Sequence, residues 1–270
     1  MRVEKHLSAP WAPYGVKLSS RLLLGTAGYP SPAVLANCIR ASEAQVITVG
    51  LSRTLGAAGD NGFVEIILEA VKHKGAQLLP NTAGCRTATE AVTLAHMARE
   101  LYGTHWVKLE VVGDEHTLQP DPWGTVEAAR QLVRDGFAVF PYCTDDLVTC
   151  KRLLDAGCEV LMPWGAPIGS GQGLLNPFAL RVLRERLPDV TLIVDAGIGA
   201  PSHASLALEM GIDGVLLNSA VSQAASPELM AEAFRHAVTA GRLAYEGGLM
   251  APQAMAVAST PVSGSPFLLD

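Results

Sequence analysis

No apolar run in this chain approaches the roughly 18 to 20 residues that a membrane-crossing helix needs, so no membrane role is expected. Basic residues are in short supply: 20 Lys and Arg stand against 26 Asp and Glu, for a formal charge of -6. With neither a basic run nor an aromatic stacking platform, nothing points to a nucleic-acid partner. An anionic ligand would have to be held by local backbone amides rather than by a general positive field. The opening stretch, MRVEKHLSAPWAPYG, has no apolar segment behind its charges, so it does not read as a secretory leader. Cysteines are few, and Cys38, Cys85, Cys143, Cys150 and Cys158 form no CxxC pair and no zinc-like spacing. Free thiols in a cytoplasmic protein are expected. The histidines, His105 and His116 among them, show no metal-ligand spacing and read as surface or core residues.

What is present is a core-forming composition. Hydrophobic residues make up 49% and charged residues 17%, which predicts a sizeable packed core rather than disorder. Short apolar runs, the predicted strands, fall at 22–26, 45–51, 77–81, 105–112, 137–142, 159–162, 191–195 and 214–218. A helical segment follows each. Ser31-Pro32, Asn176-Pro177 and Ser226-Pro227 place a cap before a proline at the first helical position, and Thr87 with Glu90 forms a capping box. The fourth helix is predicted over 125–134 after a long loop, the seventh from Ser202, and the eighth ends near Gly241. Alternating strands and helices imply parallel strands joined by crossovers. Eight such units in about 250 residues fit an α/β fold consisting of a single (β/α)8 TIM barrel, with an open doubly wound sheet as the alternative. The barrel domain spans 1–270, with a short polar lead over about 1–20 and a loosely ordered tail over about 248–270.

The fourth predicted strand, residues 105–112, carries two charges inside an apolar run. On a pleated strand Lys108 and Glu110 share one face while Val107, Leu109 and Val111 share the other. A buried cation and carboxylate near the carboxyl end of a strand are costly unless they pair or act. Asp195 closes the seventh strand. In a barrel all strand carboxyl ends open on one face, and with strands four and seven read as lying on opposite sides, the three charges meet across the mouth. Two structural readings stand beside the chemical one: an ion pair bracing the core, and Asp195 capping the loop before Gly197. As chemistry, an amine and two carboxylates suit carbonyl reactions through an imine. A lysine titrates near 10.4, and bringing it near 7.5 costs about 4 kcal/mol. Burial favours that shift and an ionised carboxylate opposes it. Glu110 is therefore expected to act mainly as a proton shuttle in carbinolamine and imine steps.

The loops after strands six, seven and eight carry Gly169-Ser170-Gly171, Ala196-Gly197 and Asn218-Ser219. Each presents backbone amides near a helix start, and three such loops side by side predict a phosphate site. Cys85 and Cys143, just after strands three and five, read as small buried hydrophobes near the mouth. Arg53, after strand two, is either solvated or facing an anion.

These residues resemble the bacterial thiazole synthases of thiamine biosynthesis. The matching runs are residues 22–26, Asn81-Thr82-Ala83-Gly84-Cys85, Val107-Lys108-Leu109-Glu110-Val111, Pro167-Ile168-Gly169-Ser170, residues 194–204, Leu217-Asn218-Ser219-Ala220 and Ala258-Ser259-Thr260-Pro261. The resemblance implies condensation of 1-deoxy-D-xylulose 5-phosphate with dehydroglycine and a sulfur carried as the thiocarboxylate of a small carrier protein. It implies that Lys108 forms the imine, that Glu110 and Asp195 are acid/base groups, and that Gly169, Ala196, Gly197, Asn218 and Ser219 contact the sugar phosphate. It also implies a cytoplasmic homo-oligomer, a separate enzyme that produces the dehydroglycine, and no metal or cofactor in this subunit. Two departures are visible. Ala27-Gly28-Tyr29 lacks the lysine usual in the first loop, and Gly50-Leu51-Ser52-Arg53 lacks one arginine of the second, which bears on how the substrate or the carrier tail is held. A class I aldolase-type barrel and a non-catalytic barrel that binds the carrier are the competing readings.

Overall fold

The computed structural model describes residues 11–50 and 61–259, in which eight parallel strands close into a barrel in sequence order, with β1 beside β8. Five strands and their helices come first: β1 (Leu22–Leu24), α1 (Pro32–Ser42), β2 (Val46–Gly50), α2 (Asn61–Lys74), β3 (Gln77–Asn81), α3 (Ala88–Tyr102), β4 (Trp106–Leu109), α4 (Pro122–Arg134), β5 (Ala138–Cys143) and α5 (Leu147–Asp155). Then follow β6 (Val160–Pro163), α6 (Pro177–Arg186), β7 (Thr191–Asp195), α7 (Pro201–Glu209), β8 (Gly214–Leu217), a short α8 (Ser219–Ser222) and α9 (Pro227–Gly247). Closure rules out the open sheet. Among the described residues no helix is long and apolar enough to cross a membrane.

Each strand is buried on both faces, which is why it reads as a continuous apolar run. Leu22, Leu24, Val107, Leu109, Val139 and Val194 face the helices, whereas Leu23, Trp106, Phe140, Met162, Ile193 and Leu216 fill the interior. Trp106 and Phe140 pack inside as tilted rings with centroids 4.8 Å apart. Part of the polar lead belongs to this interior. Trp11 and Leu18 pair across an antiparallel bridge and are buried. Tyr14 donates its hydroxyl to the Val139 carbonyl at 2.5 Å and accepts from the Glu159 amide at 3.3 Å. Residues 11–18 thus seal the amino-terminal end of the barrel.

Several boundaries differ from expectation for local reasons. β4 ends at Leu109 rather than Val112, because Val112 bridges Pro120 instead and its amide donates to Cys85. α4 begins at Pro122, capped by the Asp121 carboxylate on the Trp123 amide, so Asp121-Pro122 is itself a start signal. α7 starts at Pro201, one residue before Ser202. α9 runs on to Gly247, because Gly241 marks a close approach and not a stop: a Cβ there would lie 2.5 Å from the Ser205 carbonyl oxygen on α7. Ser226 precedes α9 without a side-chain cap bond. Thr87 caps α3 as expected, but the Glu90 carboxylate reaches the Arg86 amide at 2.7 Å. Residues 248–259 carry no helix or strand and are exposed.

Candidate active site

Lys108 follows Trp106 on the inward face of β4, and Asp195 follows Ile193 on the inward face of β7. The two strands lie three places apart round the ring rather than opposite each other. The long lysine side chain spans that gap. Its Nζ lies 2.6 Å from Asp195 Oδ2 and 3.0 Å from Glu110 Oε1, with all three side chains at least 93% buried, exposures being 7%, 3% and 7%. The structure therefore brings the three predicted charges into one cluster.

The electrostatics favour a charged amine there. Burial alone would lower the Lys108 ammonium, but Asp195 and then Glu110 outweigh it, and the amine is held above its ordinary range. Burial is also the largest influence on Asp195 and lifts its carboxyl to about 6; the Lys108 charge pulls it down and the Glu110 charge pushes it up. The cluster thus rests as an ammonium between two carboxylates, one of which is a base poised near neutrality.

Neighbours complete the frame. The Thr82 hydroxyl donates to the Glu110 carbonyl at 2.8 Å and accepts from the Glu110 amide at 2.8 Å. The Tyr142 ring lies under the amine, with Nζ 5.7 Å from its centroid. Its hydroxyl is buried without a hydrogen-bond partner, and burial pushes the phenol up. Neither Thr82 nor Tyr142 stands out in the sequence as a site residue. A threonine in a loop and a tyrosine in a strand are ordinary, although Thr82 does fall in a run shared with the resembling family.

Lys108, Glu110 and Asp195 line a cavity of about 680 Å³, and so do Gly169, Ala196, Gly197, Asn218 and Ser219. The predicted phosphate loops and the predicted reactive groups therefore share one space. Backbone geometry accounts for the loop residues. Ala196 at φ 72 and Gly197 at φ 79 turn the chain as it leaves β7, and a Cβ on Gly197 would collide with Ala166. The Ala196 amide serves the Asp195 carboxylate. His203 Nδ1 accepts from the Gly199 and Ala200 amides at 3.2 and 3.3 Å, so these amides at the start of α7 already have an acceptor. Asn218 reaches across to donate to the Ala27 carbonyl at 3.0 Å, and Ser219 opens the short α8.

The remaining candidates lie elsewhere. Cys85 and Cys143 are free and buried; burial raises the Cys85 thiol to about 11, and Cys143 sits 3.9 Å from Cys150, whose contact holds it well above the usual thiol range. His105 and His116 are exposed. Among the described residues no group of three or more His, Cys, Asp or Glu is placed to hold a metal ion. Ala27, where the usual lysine is missing, lines the cavity. Arg53 with its neighbours Leu51 and Ser52, and Thr260-Pro261 at the tail, lie outside the described residues.

The chain is similar to known proteins over nearly its whole length. Residues 13–261 match the model of the family described as thiazole biosynthesis protein ThiG. A thiazole synthase of Burkholderia lata is 59% identical over 94% of this chain and 93% of its own length. One from Coxiella burnetii is 55% identical over 96% of this chain and 99% of its own. Among solved structures, a chain of the BexX/CysO complex of Amycolatopsis orientalis superposes with a TM-score of 0.81 at 34% identity, covering 91% of this chain and 99% of that one.

Proposed function

This chain belongs to the ThiG family of thiazole synthases, enzymes of thiamine biosynthesis, and from that premise we propose that Lys108 forms an imine with the ketone of 1-deoxy-D-xylulose 5-phosphate. The observation that carries this reading is the Lys108 amine held 2.6 Å from one buried carboxylate and 3.0 Å from another at the wall of the cavity. Asp195, nearer and with its carboxyl at about 6, takes the ammonium proton once the ketone lies against Nζ. The neutral amine adds to the carbonyl carbon, Glu110 carries a proton from the new ammonium nitrogen to the alkoxide oxygen, and Asp195 then gives its proton to that hydroxyl. Water then leaves and the imine remains. Sulfur enters from the thiocarboxylate of a carrier protein, and dehydroglycine from a separate enzyme supplies the other fragment of the ring, in a transferase-type reaction.

The phosphate end of the sugar lies against Gly169, Gly197 and the first turn of α8 at Ser219, with Asn218 holding that turn to the first loop. The short helix after β8 starts at Ser219 without a side-chain cap, a placement common in barrels that bind phosphates. Ala196 serves mainly through Asp195. A carrier protein is the sulfur-delivering partner, a reading that the two-component BexX/CysO complex of the Amycolatopsis orientalis relative supports. We place the enzyme in the cytoplasm as a homo-oligomer.

The test is borohydride reduction in the presence of 1-deoxy-D-xylulose 5-phosphate followed by mass mapping. An adduct on Lys108 is expected, and an unmodified Lys108 with an adduct elsewhere, or none, defeats the proposal. Product formation is expected to require the thiocarboxylated carrier.

A further inference from the structure

The Asn81-Thr82-Ala83-Gly84-Cys85 run has a use that goes beyond lining the mouth. β3 and β4 share one register pair, Asn81 with Lys108, whereas β2 and β3 share five. Past that pair the ladder is continued by other means. The Thr82 amide donates to the Lys108 carbonyl at 3.1 Å, the Thr82 hydroxyl takes both the amide and the carbonyl of Glu110 at 2.8 Å each, and the Val112 amide donates to Cys85. Glu110 is 6% exposed and Thr82 1%. Two buried main-chain groups on one residue need a donor and an acceptor, and a hydroxyl offers both from a single atom.

We infer that Thr82 is a positioning residue for the imine chemistry: its hydroxyl fixes the backbone where β4 stops and thereby holds the Glu110 carboxylate beside the Lys108 amine. The inference rests on the imine reading above. The charged and titratable groups facing that amine are Glu110 from the end of β4 and Asp195 from β7, with the Tyr142 ring from β5 beneath it and Cys85 beyond Glu110. If Glu110 drifts, the ammonium keeps one counterion and gives up its proton at lower pH.

The experiment follows the rate of borohydride-trapped adduct against pH, at saturating 1-deoxy-D-xylulose 5-phosphate, in wild type and in Thr82→Val, Thr82→Ser, Glu110→Gln and the Thr82→Val/Glu110→Gln double variant. Thr82→Val is expected to slow trapping by about 10- to 100-fold, with KM within about threefold. Its pH limb moves to the acid side, as it does in Glu110→Gln. Thr82→Ser, which keeps the hydroxyl, returns the wild-type limb. The double variant is no slower than Glu110→Gln alone, since both changes remove one interaction. An unmoved limb in Thr82→Val, a Thr82→Ser profile like that of Thr82→Val, or multiplying effects in the double variant overturns the inference. Should Thr82→Val fail to fold, Thr82→Ala, with room for a water, is expected to show the same acid shift, and an unmoved limb there is equally fatal. A wild type that forms no Lys108 adduct overturns the imine reading and this inference together; a normal wild type with an unmoved variant overturns this inference alone.

Discussion

The two ends of the barrel each carry a charge cluster, one partly buried and one buried, and the clusters are built to opposite ends. At the amino-terminal end Asp213 meets Arg184 at 3.0 Å and both Arg21 and Arg242 at 3.8 Å. These groups have further partners: Arg21 donates to the Asp213 carbonyl at 2.8 Å, Arg184 to the Val190 carbonyl at 3.0 Å, and the Asp213 carboxylate accepts from the Leu192 amide at 3.0 Å. At the carboxyl-terminal end one ammonium stands between two carboxylates at the wall of an open cavity, in the lee of a strained turn at Ala196. Extra hydrogen bonds make a buried ion cluster a brace; a cavity beside it leaves it able to react. The contrast teaches that charge inside an apolar fold is informative only together with what else those atoms touch.

The largest expected effect tests the reactive end. Lys108→Arg keeps a cation between the carboxylates, but a guanidinium does not lose its proton in a protein. We expect trapping and product formation to fall by at least about 10⁴-fold while thermal unfolding stays close to that of wild type; retained activity would dissolve the distinction between the two ends. Next comes Asp195→Asn. The Asp195 carboxyl is raised from 3.8 to about 6 in the folded state, so the fold binds that proton more tightly than the unfolded chain does. The stabilisation is complete below the unfolded pKa and is lost as pH rises through about 6. Relative to wild type, Asp195→Asn should gain on the order of 2 kcal/mol in urea unfolding between pH 4 and pH 7. A difference that stays flat over that window contradicts the assignment.

Asp213→Ala sharpens the other side of the comparison. It leaves three guanidiniums without their shared carboxylate and is expected to cost about 2 kcal/mol of stability, with kcat and the trapping rate unchanged. A comparable loss of activity would mean that the brace reaches the mouth. The smallest effect is Gly169→Ala. Gly169 sits at φ +74 with the Ser219 hydroxyl 3.9 Å from the position of an added Cβ, so alanine strains the loop by about 1–2 kcal/mol. Affinity for the sugar phosphate should weaken by about tenfold at an almost unchanged saturating rate, measured by titration calorimetry and trapping kinetics.

Much of this was open to inspection before any coordinates. The strands show as apolar runs because each is buried on both sides, and Lys108, Glu110 and Asp195 show because charge is rare in such runs. Val111 and Val112 extend the apolar pattern of β4, yet a return of the loop takes their hydrogen bonds; Gly241 has the composition of a helix stop but the job of a helix contact. Thr82, Tyr142 and His203 left no local signature. Each matters through a partner: Thr82 through Glu110, Tyr142 through Lys108, and His203 through the amides of Gly199 and Ala200.

The order of strands and helices, their parallel alternation and the three ionisable residues at strand ends were determined by the sequence alone, since periodicity and charge placement are properties of neighbours along the chain, whereas closure of the sheet was a matter for the tertiary structure. Which carboxylate lies nearest the amine, which amides remain for an anion and which hydroxyl sets the end of β4 were decided only in three dimensions. Those outcomes depend on contacts such as Lys108 with Asp195 and Asn218 with Ala27, between groups far apart in the chain that barrel closure brings within hydrogen-bond range.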